Sequence, residues 1–173
     1  SVSNYVGNFN GASITLLRNG GASSDDVFSA GGSLSFSGSD VVVSGTTIGS
    51  FTNTGGTLAI TFNSSATQAL VNTALQGLAY SNSSKNPPSS IALNWIFDDG
   101  NSGVVTNTIT IAVTTINDPA EITASIGGTY TEGGSPLSFI TSTSVVDPDA
   151  VNFNTGSLQV NLTTWVRGDS ISI

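Results

Sequence analysis

Apolar residues alternate with small polar residues along most of the chain. A period of two is typical of strands that bury one face, and these segments are short, rich in β-branched residues and bounded by Gly, Asn or Ser. The pattern predicts strands over residues 12–17, 32–38, 40–52, 56–62, 91–97 and 106–116, with further short strands over 121–139. Turn residues recur between these segments, which predicts an all-β chain built from antiparallel β-sandwiches.

One segment, SSATQALVNTALQGLAY over residues 64–80, departs from the alternation. Its apolar residues approximate the spacing of a helical face. They are Ala66, Ala69, Leu70, Ala74 and Leu75. The segment predicts one short helix near 64–76, with Ser64 or Ser65 as the N-cap and Gly77 at its end.

The chain contains an internal repeat. The tripeptide NFN stands at residues 8–10 and again 144 residues later at 152–154, each time before an alternating segment that predicts a strand. A unit that recurs at fixed spacing indicates an array of domains. The segment NDPA at 117–120 is the predicted boundary, because Pro prevents ladder pairing. We therefore expect tandem domains: residues 1–117 form one that lacks its first strand or strands, and 118–173 form the N-terminal part of a second.

The composition narrows the classes of partner. The chain has 11 acidic and 3 basic residues and a net charge of −8, so neither nucleic acid nor an anionic membrane surface is an expected partner. No apolar run reaches the length of a transmembrane helix, so membrane insertion is not expected. There is no Cys and no His, which removes disulfides, thiolate zinc sites and most general-base chemistry. Calcium is the stabilising ligand that suits such an acidic chain.

Catalysis finds little support in the sequence. The carboxylates lie in predicted turns and linkers beside Gly and Pro, without a cluster of aromatic residues that would line a pocket. No nucleophile has an evident base beside it. A glycosidase pair of carboxylates is the enzymatic alternative. We expect that the protein is not an enzyme.

Oxygen-bearing side chains gather at the predicted boundary and in one later loop. Asn117 and Asp118 belong to the boundary, and Asp147 and Asp149 flank Pro148, which limits the freedom of that loop. Calcium takes six to eight oxygen ligands from carboxylates, amides and carbonyls on loops. Unneutralised carboxylates would repel one another, so a bound cation would explain why they are grouped together. The alternative is a set of solvated loop aspartates, and we favour a Ca²⁺ site.

Two further acidic pairs have simpler interpretations. Asp25 and Asp26 directly precede an apolar pair, which favours a turn leading into a strand over a pair of ligands. Asp98 and Asp99 begin the segment DDGN, which is a tight-turn sequence in its own right. Two interpretations of this second pair stay open: it forms only a turn, or it forms a turn that also binds calcium.

Several motifs together resemble a known family. A strand ending in TTINDPA, a following YTEGG, then VVDPDA, and an earlier strand running into FDDGN are similar to the cadherin-like repeats of giant bacterial surface proteins and adhesins. The stretch 52–101 resembles those arrays most closely. The resemblance implies an antiparallel Greek-key β-sandwich of the cadherin or Ig-like type, repeated in tandem, with calcium at the linkers.

The resemblance also implies roles for particular residues. Asn117, through its carbonyl, and Asp118 would serve calcium in the linker. Asp147 and Asp149 would be its ligands from the second domain. Asp98 or Asp99 would lie at the opposite, N-terminal end of the first domain. Glu132 would face the far end of the second domain.

The function implied is a structural or adhesive repeat of an extracellular bacterial surface protein, rigidified by calcium at the interdomain linker. Its partners would be neighbouring copies of the same domain, in the same chain or head to tail, and a cell-surface or glycan ligand; it would be located at the cell surface or secreted. One alternative is a subunit of a head-to-tail extracellular fibre completed by strand exchange, since residues 118–145 supply strands of the kind that the first domain lacks. Another is a carbohydrate-binding module, which would require exposed coplanar aromatic residues such as Trp95 and Trp165.

Overall fold

The computed structural model describes residues 8–150 and 152–160. The chain divides into two compact units, Ser1–Ile116 and Asn117–Ile173, which we call the first and the second unit. The division lies directly before the NDPA segment. That the second unit repeats the fold of the first stays a prediction.

The first unit consists mainly of antiparallel strands. In its described part these are β1 (Ser13–Arg18), β2 (Asp26–Ala30), β3 (Leu34–Ser37), β4 (Asp40–Val43), β5 (Thr46–Thr54), β6 (Thr57–Phe62), β7 (Leu78–Asn82), β8 (Ser90–Asp98) and β9 (Val104–Ala112), with one helix, α1 (Gln68–Gln76). Seven strands form a sheet in the order β3-β4-β5-β6-β1-β8-β9, and β2 pairs with β7 in a separate ribbon. Every pairing is antiparallel, which confirms the all-β prediction.

The core of the first unit follows from the alternation. Alternate residues of the central strands are buried, and they include Ile14, Leu16, Leu58, Ile60, Ile91 and Leu93. Phe28 from the β2–β7 ribbon and Val71 and Ala74 from α1 belong to the same buried cluster. Each fully buried side chain of this size contributes about 1.5–3 kcal/mol relative to exposure. The apolar face of the large sheet therefore positions both the ribbon and the helix.

The predicted helix is confirmed, but its start is not where the sequence indicated. Helix α1 begins at Gln68, and the hydroxyl of Thr67 accepts the capping hydrogen bond from the backbone three residues later. Ser64 and Ser65 do not cap it, because they belong to a preceding turn that the side chain of Asn63 closes. No helix in the described parts of the chain is long and apolar enough to cross a membrane.

Gly77 ends the helix as predicted, for a reason that the sequence does not show. Its φ is −87°, a conformation that any residue can adopt. However, a Cβ at this position would lie 2.6 Å from both the Gly31 carbonyl oxygen and the Leu34 Cβ. Glycine is required here by close packing rather than by backbone conformation.

The segment 40–52 is a hairpin and not the single strand that its composition predicts. Strand β4 ends at Val43 and β5 begins at Thr46, directly opposite it. The two residues between them, Ser44 and Gly45, both have positive φ, at 49° and 82°. Such a two-residue turn matches the twist of the flanking strands and reverses the chain.

The second unit contains one two-stranded antiparallel sheet in its described part, formed by β10 (Glu121–Ile126) and β11 (Ile140–Val146). Residues 152–160 contain no strand, so the alternating segment after the second NFN does not form the predicted strand up to residue 160. No hydrophobic side chain is buried in the described part of this unit.

The first NFN tripeptide forms a turn that leads into β1. The N–H of Asn10 donates to Asn8 Oδ1 at 3.1 Å, and the N–H of Ala12 donates to the Phe9 carbonyl at 3.0 Å. Gly11 has a φ of 83°. Phe9 is fully buried.

The second NFN tripeptide forms the same turn. The N–H of Asn154 donates to Asn152 Oδ1 at 3.0 Å, and the N–H of Gly156 donates to the Phe153 carbonyl at 2.8 Å. Thr155, at the position matching Gly11, has a φ of 68°. The repeat is therefore present in backbone structure as well as in sequence, although Phe153 is 51% exposed.

Candidate functional site

The acidic loop of the second unit is a turn closed by Asp147. Its Oδ1 accepts hydrogen bonds from the backbone N–H groups of Asp149, at 3.3 Å, and Ala150, at 3.2 Å. Asp side chains commonly close turns in this way, and Pro148 has no N–H to compete for the same acceptor. The two carboxylates thereby lie in one turn.

A hydrogen bond joins this turn to the boundary segment. The backbone N–H of Asp118 donates to Asp149 Oδ2 at 2.9 Å, across 31 positions of sequence. The side chain of Asn117 donates to the Asp118 carbonyl at 3.1 Å, which orders the same segment. The structure thus brings together the boundary segment and the Asp147–Asp149 loop, and all four residues predicted for the linker site belong to the second unit.

The electrostatics of this turn are those of a concentrated negative charge. The hydrogen bond from the Asp118 backbone, followed by the one with the Asp147 side chain, holds the pKa of Asp149 below its ordinary value, although partial burial opposes the shift. Residues 117–160 include five acidic residues and no Lys or Arg. No group of three or more Asp, Glu, His or Cys side chains that could hold a metal ion is present within 8–150 and 152–160. Calcium at this turn stays a prediction.

Asp98 and Asp99 begin a tight turn after β8, in the first unit. Asp98 Oδ1 accepts from the N–H of Gly100 at 2.8 Å, and Asp99 Oδ1 accepts from those of Asn101 and Gly103 at 2.7 and 2.9 Å. The two bonds to Asp99 lower its pKa. The turn alone accounts for both carboxylates, and a calcium role for them stays a prediction.

Glu132 lies in an exposed turn of the connection between β10 and β11. The N–H of Gly134 closes this turn on the Thr131 carbonyl at 2.9 Å. Among the side chains described, no hydrogen bond links Glu132 to the Asp147–Asp149 loop. Its predicted role at another linker is untested.

The strongest polar cluster of the first unit surrounds Asp26, which the sequence did not single out as a buried residue. Its carboxylate accepts two hydrogen bonds from Arg18, from Nε at 2.9 Å and from Nη2 at 2.6 Å. The hydroxyl of Tyr80 donates to it at 2.6 Å, and the amide of Asn82 donates at 3.0 Å. Because these donors occupy the carboxylate, Asp26 acts as a structural acceptor, consistent with a turn leading into a strand.

Burial by itself would raise the pKa of Asp26, but hydrogen bonds from Arg18, Tyr80 and Asn82 outweigh it and hold the pKa below its ordinary value. Arg18 belongs to the seven-stranded sheet, whereas the other three residues belong to the β2–β7 ribbon. The cluster therefore ties the ribbon to the sheet. A signal for it exists in the sequence, because Asp26 alternates in phase with Phe28 on the buried face of β2.

The aromatic residues of the carbohydrate alternative are only partly described. Trp95 is half-buried beside Phe97 in a cleft of about 480 Å³, and its indole N–H is buried with no acceptor in the described part of the chain. Trp165 lies outside the residues that the structure describes. The coplanar, exposed aromatic pair that this alternative requires therefore stays a prediction.

Comparison of the chain with protein-family models, curated proteins and solved structures found no match. What the structure defines is an all-β protein with a large antiparallel sheet and a short helix. The likeness to cadherin-like repeats rests on the sequence motifs alone.

Proposed function

We propose that the chain is part of a structural, non-enzymatic repeat of an extracellular surface protein, in which calcium stiffens the linker at residues 117–118. The observation that carries this proposal is the hydrogen bond from the Asp118 backbone to the Asp149 carboxylate. It joins the linker segment to the only Asp-x-Asp loop of the sequence. In this proposal the first unit is a Greek-key β-sandwich of the cadherin or Ig-like type, and the second unit begins another.

The chemistry of the linker suits a hard divalent cation. Asp147 and Asp149 each use one oxygen to hold the backbone, and each carboxylate has a second oxygen that can serve an ion. Asp149 is ionised well below neutral pH, because its hydrogen bonds lower its pKa. Calcium would cancel the repulsion among the aspartates, and its requirement for several oxygens would restrict the motion of the linker.

The proposed setting follows from the affinity of such sites. Extracellular calcium modules bind in the range of about 0.1–1 mM, which matches calcium levels outside cells. Proposed partners are neighbouring copies of the same domain and a cell-surface or glycan ligand. Support for the array comes from the NFN turn, which has the same two hydrogen bonds in both units: one from a backbone N–H to the Asn side chain and one between backbone groups.

Calcium titration of the 173-residue chain tests the proposal. We expect saturable binding by calorimetry and a rise in the thermal midpoint that a chelator reverses, because a ligand that binds only the folded state stabilises it. Asp149→Asn should weaken binding by at least about tenfold, the loss that even an outer-shell partner can cause. Asp40→Asn is the matched control, since Asp40 is exposed on β4 and far along the chain from the linker.

The proposal would be abandoned if the wild-type chain bound no calcium at millimolar concentrations. It would equally be abandoned if Asp149→Asn and Asp40→Asn bound calcium as the wild type does. Both variants keep side-chain size and remove one negative charge, so a general effect of net charge would appear in both.

A further inference from the structure

One part of the large sheet in the first unit has no covering layer among the residues that the structure describes. On β9, Ile109 lies opposite Leu93, and Val105 lies opposite Phe97, so both residues are on the face that is buried elsewhere in the sheet. They are nevertheless 39% and 66% exposed. Together with α1 they line the cleft of about 480 Å³. We call this cleft the α1–β9 groove.

The α1–β9 groove has no charged residue in its lining, and one of its hydrogen-bond donors is unpaired among the described residues. Its polar lining consists of three side-chain amides, from Asn72, Gln76 and Asn107, and its other lining residues are apolar. The indole N–H of Trp95 is buried there and has no acceptor within 8–150 and 152–160. A buried donor left unpaired is costly and uncommon in a completed fold. The groove therefore has the properties of a surface that another element completes.

The second unit carries an element with the complementary property. In the β10–β11 hairpin, Ile122 lies opposite Val145 and Ile126 lies opposite Ile140, and the four side chains are between 44% and 75% exposed. The other face of β10 carries polar residues such as Thr123. A two-stranded hairpin is only marginally stable in water by itself, so this apolar face also needs a partner.

The internal repeat indicates what that partner is. In the second unit the hairpin directly precedes the NFN turn at 152–154, whereas in the first unit the equivalent turn at 8–10 leads into the sheet that bears the groove. If the repeated unit is a hairpin, a turn and a sheet in that order, the groove is the natural position for a hairpin of the β10–β11 type. Among the residues described, this chain has one such hairpin and one such groove.

We propose that the α1–β9 groove of one copy binds the β10–β11 hairpin of a second copy. The inference rests on the tandem-repeat part of the proposed function and is independent of calcium. Neither contact surface carries a charged side chain, so in a protein of net charge −8 these are surfaces that can meet without like-charge repulsion. Because the two surfaces differ, two copies leave one groove and one hairpin unoccupied, and further copies can add head to tail.

Sedimentation velocity in the presence of a chelator tests the contact. The wild-type chain should associate progressively as its concentration rises. Val105→Lys places a charge at the groove and Ile122→Lys places one on the hairpin, and each should weaken self-association at least tenfold. Both residues are more than half exposed, so both variants should keep the wild-type circular dichroism and thermal midpoint.

Mixing the two variants distinguishes this contact from other modes of association. The Val105→Lys copy retains its hairpin and the Ile122→Lys copy retains its groove, so an equimolar mixture should form 1:1 heterodimers that do not grow further. Val104→Lys and Thr123→Lys are the matched controls, because each lies beside the tested residue on the opposite face of its strand. Both controls should associate as the wild type does.

Three results would overturn the inference. The first is a wild-type chain that stays monomeric up to about 1 mM, a concentration above the Kd of very weak complexes. The second is a loss of association in the control variants that is as complete as in the tested ones. The third is an equimolar mixture of Val105→Lys and Ile122→Lys that stays monomeric. Because the measurement is made without calcium, its failure leaves the linker proposal standing. Loss of calcium binding in Asp149→Asn, in turn, does not bear on the groove.

Discussion

Arg18 and Asp26 form an ion pair in which the guanidinium donates two hydrogen bonds, of 2.9 and 2.6 Å, to a carboxylate that has no exposed side-chain surface. The two residues are only eight positions apart, yet they belong to different sheets. A bidentate pair between Arg and a carboxylate is stronger than a neutral hydrogen bond and also fixes the relative orientation of the two side chains. The pair therefore sets the orientation of the β2–β7 ribbon against the large sheet.

Asp26→Asn should lower the free energy of unfolding by about 3 kcal/mol, the lower end of the cost of removing one partner from a buried ion pair. The lower end applies because the Arg18 side chain is 23% exposed and water can partly replace its lost partner. Urea denaturation followed by circular dichroism measures the change. Asp40→Asn, on the exposed side of β4, should change the free energy of unfolding by less than about 0.5 kcal/mol. Equal stability of the two variants would show that the pair does not hold the ribbon.

The stability of the chain should also depend on pH through Asp26. Its pKa in the folded state is lower than in the unfolded state, so its contribution is present above the unfolded value of about 3.9 and is lost as pH falls through the folded value. The difference in stability between wild type and Asp26→Asn should therefore be constant above about pH 5, which is about one pH unit above the unfolded pKa. It should shrink in more acidic solution. Denaturation series at several pH values measure it. A difference that grew on acidification would contradict the assignment.

Gly77→Ala should destabilise the first unit by about 1–3 kcal/mol, the usual cost of inserting a methyl group into a packed site. The added Cβ would meet the Gly31 carbonyl and Leu34 at 2.6 Å. Gly31→Ala is a matched control on the other side of the same contact, because its Cβ would meet only the Gly77 carbonyl, at 3.8 Å. Thermal unfolding should show a lowered midpoint for Gly77→Ala alone. A similar loss in both variants would show that the close contact at Gly77 is not the cause, because the lower backbone entropy of the unfolded chain would by itself stabilise both variants.

The two copies of the NFN turn should respond differently to the same substitution. Phe9→Ala should cost about 3–5 kcal/mol, because Phe9 is fully buried and packs edge-on against Phe62 and Phe97. Phe153→Ala should cost less than about 1 kcal/mol in dilute solution, because that ring is half exposed. Chemical denaturation at low protein concentration measures both. Comparable losses would show that Phe153 is buried in solution.

Much of the fold could be predicted because alternation is a local property. The alternating apolar residues of β1, β6 and β8 predict the buried faces of these strands. The helix is predicted by a change in the spacing of the apolar residues. Strand β7 was missed, because Leu78–Asn82 follows the helix without a turn signal and pairs with a distant strand. The short strands were predicted only as far as residue 139, so the bounds of β11 were not found, because Ile140–Val146 includes a run of Thr and Ser that is typical of a loop.

The polar sites also include one that could be predicted from the sequence and one that could not. The Asp147–Asp149 loop could be found by residue type and spacing, and its link to Asp118 was expected from the position of the domain boundary. The acceptor role of Asp26 could not be found by residue type, because its partners Tyr80 and Asn82 lie more than fifty residues away. Only strand pairing brings those donors to the carboxylate.

By itself, the sequence determined the all-β class, the helix and the repeated NFN turn, because each depends on side-chain period or on hydrogen bonds within a few residues. The tertiary structure decided which strands are neighbours, where glycine is required by packing, and which carboxylate is buried. Those properties depend on groups that are distant along the chain and meet only when the sheet and the ribbon pack together. The two NFN turns show this division clearly, since identical local hydrogen bonds surround one phenylalanine that is buried and one that is exposed.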